Sequence, residues 1–338
     1  MRVRIGIVSW NTAALLDRCL AAIPAAAQGL DYDVVVVDNA SADGSVAAAR
    51  RHEGVTVVAN DENTGYARGM NQALLHAGAG APPEVLIALN PDTSAAPGSL
   101  ADLVARLEAD PGVGLVVPQL TNEDGSLQHT VYRFPSPRIT AIICLVPVRL
   151  QRGRLAQKWW LEGRVPHDRA CDIDWAIGAV HVIRREALGG ELPYCERWFM
   201  YVEDVDLCWR MARGGWRCRL EPSARVLHVG NAAGAQAWGD SRSIRWWQAT
   251  YDWYRFRRGV PAVARYARTN TVGVGMLLAE ARLRRRLKGR FGASEAGRIA
   301  DLEAILPLHR EMAHNPAGAF VPPPNGAAGT AGPGLEHQ

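Results

Sequence analysis

Leu86-Ile87-Ala88-Leu89-Asn90-Pro91-Asp92-Thr93 is the stretch whose reading decides the fold. Its four apolar residues run without a polar break, as in a strand buried on both faces. Asn-Pro then ends the run in an extended or turn conformation. In an open α/β sheet, ligands bind outside the carboxyl ends of the strands. Asp92 would stand there as a hard oxygen ligand suited to Mg²⁺ or Mn²⁺. Asn-Pro-Asp after a strand is equally a plain turn, so the neighbouring sequence has to decide between the two.

Upstream, strand and helix alternate. Val3 to Ser9 reads as a strand, and Thr12 is the expected N-cap of a helix over 13–27. The β-branched run Asp33 to Asp38 is strand two, with a polar exit loop over 39–45 and a helix over 45–51. Val55 to Val58 is strand three, followed by the polar loop 60–66 and a helix over 67–78. The Leu86 run is strand four. This alternation predicts a parallel sheet covered by helices on both sides, a Rossmann-like nucleotide half. Ser9, Asp38, Asn63 and Asp92 then fall just past the carboxyl ends of successive strands, at one edge of the sheet. Asp38 could bind a base or ribose there, and Asp92 a metal. Each Asp or Asn taken singly could instead cap the next helix. The first loop, Ser9-Trp10-Asn11-Thr12, lacks the Gly-x-Gly-x-x-Gly of a dinucleotide enzyme, and no Gly-x-x-x-x-Gly-Lys-Ser/Thr of a phosphate-binding loop occurs. Without a glycine cradle, a diphosphate needs a metal.

Composition narrows the class. The 338 residues can bury a large core, and a net charge of +4 is not that of a polycation. The six cysteines show no Cys-x-x-Cys spacing and are expected as reduced, mostly buried thiols. Met1 leads directly into a strand-like run, and no segment has transmembrane length. A cytoplasmic protein is expected, with room for contact at a membrane surface.

The second half carries acid and histidine. Val113 to Val117 is strand five, and 119–134 reads as a hairpin turning at Asp124-Gly125. Ile139 to Val148 is apolar but too short to span a bilayer; Arg149, Arg152, Arg154, Lys158 and Trp159-Trp160 follow. It reads as a core helix and loop, or as an acceptor-side flap touching lipid. Asp172 to Val182 is strand-like, and its Gly178 marks close approach of a ligand or another backbone. Glu203, Asp204 and Asp206 open a helix that Leu207 and Met211 would dock on the core. Three carboxylates in four residues exceed what a cap requires, and one with a raised pKa can act as a base. Arg225 to His228 is a short strand whose terminal histidine is a candidate metal ligand.

Taken together these segments resemble the family 2 glycosyltransferases, inverting enzymes of GT-A fold, and most of all their bacterial rhamnosyltransferase-like branch. The matching residues are Val8-Ser9-Trp10-Asn11, Val36 to Ser45, Asn63 to Asn71, Leu89 to Asp92, Glu203 to Leu207 and His228, in the family's order over roughly residues 3–230. The resemblance implies a nucleotide-sugar site formed by Ser9, Asn11, Asp38, Asn39, Asn63, Gly65, Arg68, Asn71, Asn90 and Asp92. It implies that Asn90-Pro91-Asp92 replaces the family's Asp-x-Asp, which leaves Asp92 as the carboxylate ligand of a divalent metal (Mg²⁺ or Mn²⁺) and His228 as its second protein ligand. Asp204 is implied as general base with Glu203 beside it, and Gly178, Trp175 and Asp206 are expected on the acceptor side. The donor would be a nucleoside-diphosphate sugar, with dTDP-L-rhamnose the best guess. The acceptor would be a hydroxyl, on a polyprenyl-diphosphate-linked saccharide of cell-wall or polysaccharide assembly, or on a soluble natural product. A nucleotide-sugar pyrophosphorylase would want a glycine-rich basic loop after strand one, and a non-catalytic nucleotide-sugar-binding protein would not need Glu203, Asp204, Asp92 and His228 together.

The expected catalytic domain is 1–235, with 1–95 the donor half and 96–235 the acceptor half; 236–312 is a helical extension. There, Trp246, Trp247, Tyr251, Trp253, Tyr254 and Phe256 interleave with Arg242, Arg245, Arg255, Arg257 and Arg258, and a second arginine cluster runs from Arg282 to Arg290. The pattern suits a membrane–water interface better than nucleic acid, given the upstream site, and would place the protein peripherally at the inner face of the plasma membrane. It equally suits a helix packed on the catalytic domain with a solvated basic face. Residues 313–338, rich in Gly, Ala and Pro, are expected to be disordered.

Overall fold

The computed structural model of the chain describes residues 1–78, 81–145, 169–230, 242–288 and 293–318. The first part alternates as the sequence predicts: β1 (Arg2–Ser9), α1 (Ala13–Ala26), β2 (Asp31–Asp38), α2 (Ser45–Arg50), β3 (Val55–Ala59), α3 (Tyr66–Leu74) and β4 (Val85–Leu89). These strands pair in the order β3-β2-β1-β4, all parallel, so their carboxyl ends share one edge. The unbroken apolar run of β4 has a two-faced environment as its cause. Val85, Ile87 and Leu89 pack in the cluster with Leu16 and Leu20 of α1, while Leu86 and Ala88 pack in the cluster with Met70 and Leu74 of α3.

Two local expectations change. Helix α3 stops at Leu74, short of the predicted 78. Thr12 makes no side-chain cap on α1. Its hydroxyl instead faces Ser9 Oγ at 3.0 Å, and Asp43 Oδ2, from the loop after β2, accepts the Ala13 N–H at 2.9 Å. The helix start is thus capped from the neighbouring loop, which ties the first two strand-end loops together.

The second part holds β5 (Thr93–Ala95), α4 (Ser99–Ala109), β6 (Val113–Thr121), β7 (Val131–Tyr132), α5 (Pro137–Leu145), β8 (Cys171–Ile173), β9 (Trp175–Ala176), β10 (Val180–Arg184), α6 (Glu203–Arg213) and β11 (Arg217–His228). The sheet continues β4-β10-β6-β11-β5, with β8 on β11. Strand β10 runs antiparallel between β4 and β6, pairing Val180 with Leu89, so its beginning, not its end, lies at the ligand edge. β11 runs parallel to β6 and ends at that same edge. The predicted hairpin keeps its turn at Asp124-Gly125, but beyond the Thr121–Leu127 bridge its second arm pairs with Trp175-Ala176. The predicted strand over 172–182 is three short pieces, and Arg225 to His228 is the end of a twelve-residue strand.

Among the described residues three further helices follow: α7 (Arg242–Arg258), α8 (Val260–Lys288) and α9 (Ala293–His314). Tyr251, Trp253 and Tyr254 of α7 and Met312 of α9 share one buried cluster with Val205 and Leu207 of α6. Asp252 accepts from Arg197 Nε at 2.7 Å and from Trp198 Nε1 at 3.0 Å. The extension is therefore built onto the α/β part, and most of its aromatic residues serve a core. Residues 146–168 of the expected flap and 319–338 of the expected tail lie outside the described residues. All six cysteines are free, and Cys19, Cys208 and Cys218 are buried. Among the described residues no helix is long and apolar enough to cross a membrane.

Candidate active site

The strand ends converge on a pocket lined by Trp10, Asn39, Asn63, Gly65, Tyr66, Asn90, Pro91, Asp92, Trp175, Gly178, Phe199, Tyr201, Glu203, Asp204, His228 and Trp246, among others. Register brings Asp92 and His228 together. β5 runs antiparallel to β11 with Thr93 opposite His228, which sets Asp92 beside the histidine. His228 Nε2 lies 3.5 Å from Asp92 Oδ1, and the Val229 N–H donates to the Asp92 carbonyl at 2.9 Å. On its other side, His228 Nδ1 is 2.8 Å from Gln128 Oε1, an acceptor, so Nδ1 carries the proton and Nε2 its lone pair. Burial pushes the His228 pKa down, against the pull of Asp92, which keeps the ring neutral.

The metal implied by the fold finds a fitting set here. Asn90 Oδ1 and Asp92 Oδ1 are both buried without a hydrogen-bond partner. Two orphaned oxygens beside a neutral imidazole nitrogen are the donors a hard divalent cation accepts. Among the described residues no three His, Cys, Asp or Glu gather as a ligand group, so further ligands would have to come from elsewhere. Cys19, whose thiol lies 3.6 Å from the Asn90 carbonyl, is buried and pushed up to about 12, a packing residue and not a ligand.

Across the pocket stands the acidic pair at the start of α6. The two residues before it, Tyr201 (φ 74) and Val202 (φ 63), are both left-handed, an unusual conformation for a β-branched residue. Among the described residues the other non-glycine residues with positive φ are Asn11 and Ala40, in the loops after β1 and β2. All four lie in loops at the ligand edge, as expected where a site dictates backbone geometry. Glu203 is buried, with Oε2 unpartnered, and burial together with Asp204 raises its pKa well above the ordinary value. Asp204 is half-buried, and burial raises it to about 6, against the hydrogen bonds it accepts from the Val205 N–H (2.7 Å) and the Gly178 N–H (3.2 Å). The two environments differ: burial and the neighbouring carboxylate favour the protonated form of Glu203, and burial raises Asp204 to about 6. Tyr66 joins this side, its hydroxyl donating to the Gly178 carbonyl at 3.0 Å; burial and the two acids raise its pKa well above normal.

Not every expected residue reaches the pocket. Ser9 is buried on Thr12, and Asn11 Oδ1 accepts the Ala42 N–H at 2.7 Å. Asp38 is 2% exposed and accepts the Ser41 N–H and hydroxyl on its two oxygens. Of the three, Asn11 ties the first loop to the second, while the side chains of Ser9 and Asp38 bond within their own loops. Asn39 does line the pocket, donating to the Gly65 carbonyl at 3.1 Å, and Asn63 Oδ1 accepts the Gly65 N–H at 3.0 Å. Arg68 is exposed on α3. Asn71 is buried and clamps the Tyr194 backbone through both amide atoms, which makes it a brace and not a ligand contact. Asp206 is the plainest correction. Expected on the acceptor side, it is fully buried and paired with Arg210 Nε (3.0 Å), Arg257 Nε (2.7 Å) and Trp253 Nε1 (3.0 Å). It fastens α6 to α7. Among the lining residues missed by the sequence are Tyr66, Phe199 and Trp246. Tyr66 sits in the Asn63-Thr64-Gly65-Tyr66 loop already singled out, whereas Trp246 comes from the extension and carries no local signal.

Comparison with known proteins gives the family and the fold. Residues 5–172 match the family model described as Glycosyl transferase family 2. The chain is 30% identical over 229 residues to the N-acetylglucosaminyl-diphospho-decaprenol L-rhamnosyltransferase of Mycobacterium tuberculosis, covering 65% of this chain and 74% of the relative. In fold it is similar to the mannosyltransferase PcManGT from Pyrobaculum calidifontis, solved with GDP-Man and Mn²⁺ (TM-score 0.54, 20% identity, 94% of this chain and 84% of that one). It is also similar to GalNAc-T7, solved with UDP, GalNAc and Mn²⁺ (TM-score 0.52, 16% identity, 79% and 51%).

Proposed function

This chain belongs to glycosyl transferase family 2 and is a glycosyltransferase of GT-A fold; from that premise we propose that it moves a sugar, with inversion, from a nucleoside diphosphate onto a hydroxyl of a polyprenyl-diphosphate-linked saccharide, with dTDP-L-rhamnose as donor. The observation that carries the reading is the placing of Asp204 and Glu203 across one pocket from Asn90, Asp92 and His228. The relative's name supports the acceptor class and the sugar.

The chemistry is a direct displacement. Asp204, held by the Gly178 and Val205 N–H groups, takes the proton of the acceptor hydroxyl. The freed oxygen attacks the anomeric carbon from the face opposite the nucleotide; the bond to the diphosphate breaks and its electron pair leaves on the diphosphate oxygen. Burial favours the protonated form of Glu203, and in that form it spares Asp204 the repulsion of a neighbouring anion. Trp175, Tyr66 and Trp246 offer flat apolar walls to a sugar ring and exclude water. Asn90, Asp92 and His228 would hold a divalent cation, Mg²⁺ or Mn²⁺. When bound, that cation neutralises charge on the departing diphosphate.

The test is turnover with a panel of nucleotide sugars against a synthetic N-acetylglucosaminyl-diphospho-polyprenol and against its water-soluble, lipid-free analogue. Rhamnose transfer to the lipid-linked acceptor, preferred over the other donors, is the expected result. Equal use of another sugar overturns the donor assignment; transfer to unrelated soluble alcohols alone overturns the acceptor assignment.

A further inference from the structure

We propose that the outward face of α8 docks on an anionic lipid bilayer. Arg265, Arg268, Val272, Met276, Ala279, Leu283 and Arg286 follow one another at intervals of three or four residues, which places them on one stripe of a helix. All seven are exposed, Val272 by 62%, Met276 by 47% and Leu283 by 57%. The opposite face is occupied: Val263, Tyr266 and Ala267 pack in the catalytic cluster, and Val274 and Leu278 pack on Ile299, Ile305 and Leu306 of α9. The stripe is thus apolar at its centre and arginine at both ends. Its apolar part, Val272 to Leu283, is about 16 Å long at the rise of an α-helix. Beside it, between α5 and α8, opens a shallow groove lined by Ala141, Cys144, Arg268, Thr269, Val272 and Gly273.

Three chemistries could cover such a stripe. Nucleic acid would meet the arginines but leave the apolar centre against water or phosphate. A second copy of the chain, related by a two-fold axis, would bring arginine ends against arginine ends. An anionic bilayer satisfies both parts: the large apolar side chains enter the acyl boundary, the arginines meet lipid phosphates at the headgroup level, and a helix lying in the plane needs no spanning length. The groove gives an acyl chain a place beside Arg268. This surface deepens the polyprenyl-acceptor reading, since a docked enzyme meets a substrate confined to the membrane, but its test uses no acceptor, so either can fail alone.

The experiment is co-sedimentation of the full chain with vesicles of phosphatidylcholine alone or of phosphatidylcholine and phosphatidylglycerol in a two-to-one ratio. The wild type is expected to bind the anionic vesicles, less so in high salt, and the neutral ones weakly. Two triple variants, Val272→Ser/Met276→Ser/Leu283→Ser and Arg265→Gln/Arg268→Gln/Arg286→Gln, should each lose about tenfold or more in partitioning. Far-ultraviolet circular dichroism and melting temperature of the variants should match the wild type and report the fold. If the apolar triple variant does not fold, Met276→Ser alone and the arginine variant carry the test. Wild-type failure to bind anionic vesicles, or undiminished binding by the arginine variant, overturns the proposal.

Discussion

The Gly178 N–H donates to Asp204 Oδ2 at 3.2 Å, so the turn that leads into antiparallel β10 aims this carboxylate, the proposed base. A parallel strand in that position would present its carboxyl end and not its start. The bond fixes the carboxylate at the pocket wall while leaving lone pairs on both oxygens for an acceptor hydroxyl.

Asp204→Asn should cut turnover roughly 10²–10⁴-fold, the usual worth of a positioned base, with nucleotide-sugar affinity little changed. Because Asp204 is raised to about 6, wild-type kcat/KM should climb with pH through that value and level off above it. A flat profile across this range, or a collapse of donor affinity in the variant, would remove Asp204 from the role of base.

Glu203 makes the protein's stability depend on pH. Its folded pKa lies well above the ordinary 4.5, so the folded state keeps a proton that the unfolded state has lost. Stability contributed by that proton is full below the unfolded pKa and is lost as pH rises towards the folded one, by about 1.4 kcal/mol for each unit of separation. Glu203→Gln, neutral at every pH, should melt like the wild type in acid and higher than it above neutrality. Parallel melting curves for the two proteins across pH would contradict the buried, protonated state.

Asp92→Ala should lower Mn²⁺ affinity, measured by calorimetry in the presence of nucleoside diphosphate, by at least tenfold, because it removes the carboxylate of the set. Gln128→Ala should lower it less, through loss of the bond that orients His228. Unchanged Mn²⁺ binding in Asp92→Ala would place the cation elsewhere.

Gly65→Ala should destabilise the chain by about 2 kcal/mol or more. Residue 65 has φ +85, and an added Cβ would stand 2.5 Å from the Phe199 carbonyl oxygen, where the Tyr66 N–H now bonds at 2.7 Å. The donor loop and the acid loop meet at this point, so donor affinity and turnover should fall together. Wild-type melting of the variant would show that the loops can part.

Asp206→Ala should cost about 3 kcal/mol or more in chemical denaturation, since it leaves Arg210 and Arg257 without their shared anion. The KM for the acceptor should not change in the molecules that remain folded. A specific rise in that KM would return Asp206 to the acceptor side.

The donor half could be read from the sequence because its signals are local. Strands ending in Asp38 and in Asn90-Pro91-Asp92, and helices of ordinary periodicity, repeat within thirty residues. His228 was legible too, as a polar residue ending an apolar run. The insertion of β10 was not, because its partners Leu89 and Val116 are remote in sequence and β10 itself has no mark of direction. Asp206 shows the other limit. In sequence it is one of three carboxylates at a helix start, and only the packing of α7 separates an anion buried between arginines from one facing a substrate.

Trp246 carries a consequence for engineering. The pocket borrows this wall from a helix that follows the last strand by more than a dozen residues. Specificity in this scaffold is therefore not portable by exchanging the α/β part alone. A hybrid joined at the end of β11 would take whatever residue its recipient has there, and could lose one wall of the pocket. Productive splices should be cut before β5 or after α9, so that acid pair, extension and cleft wall travel as one cassette.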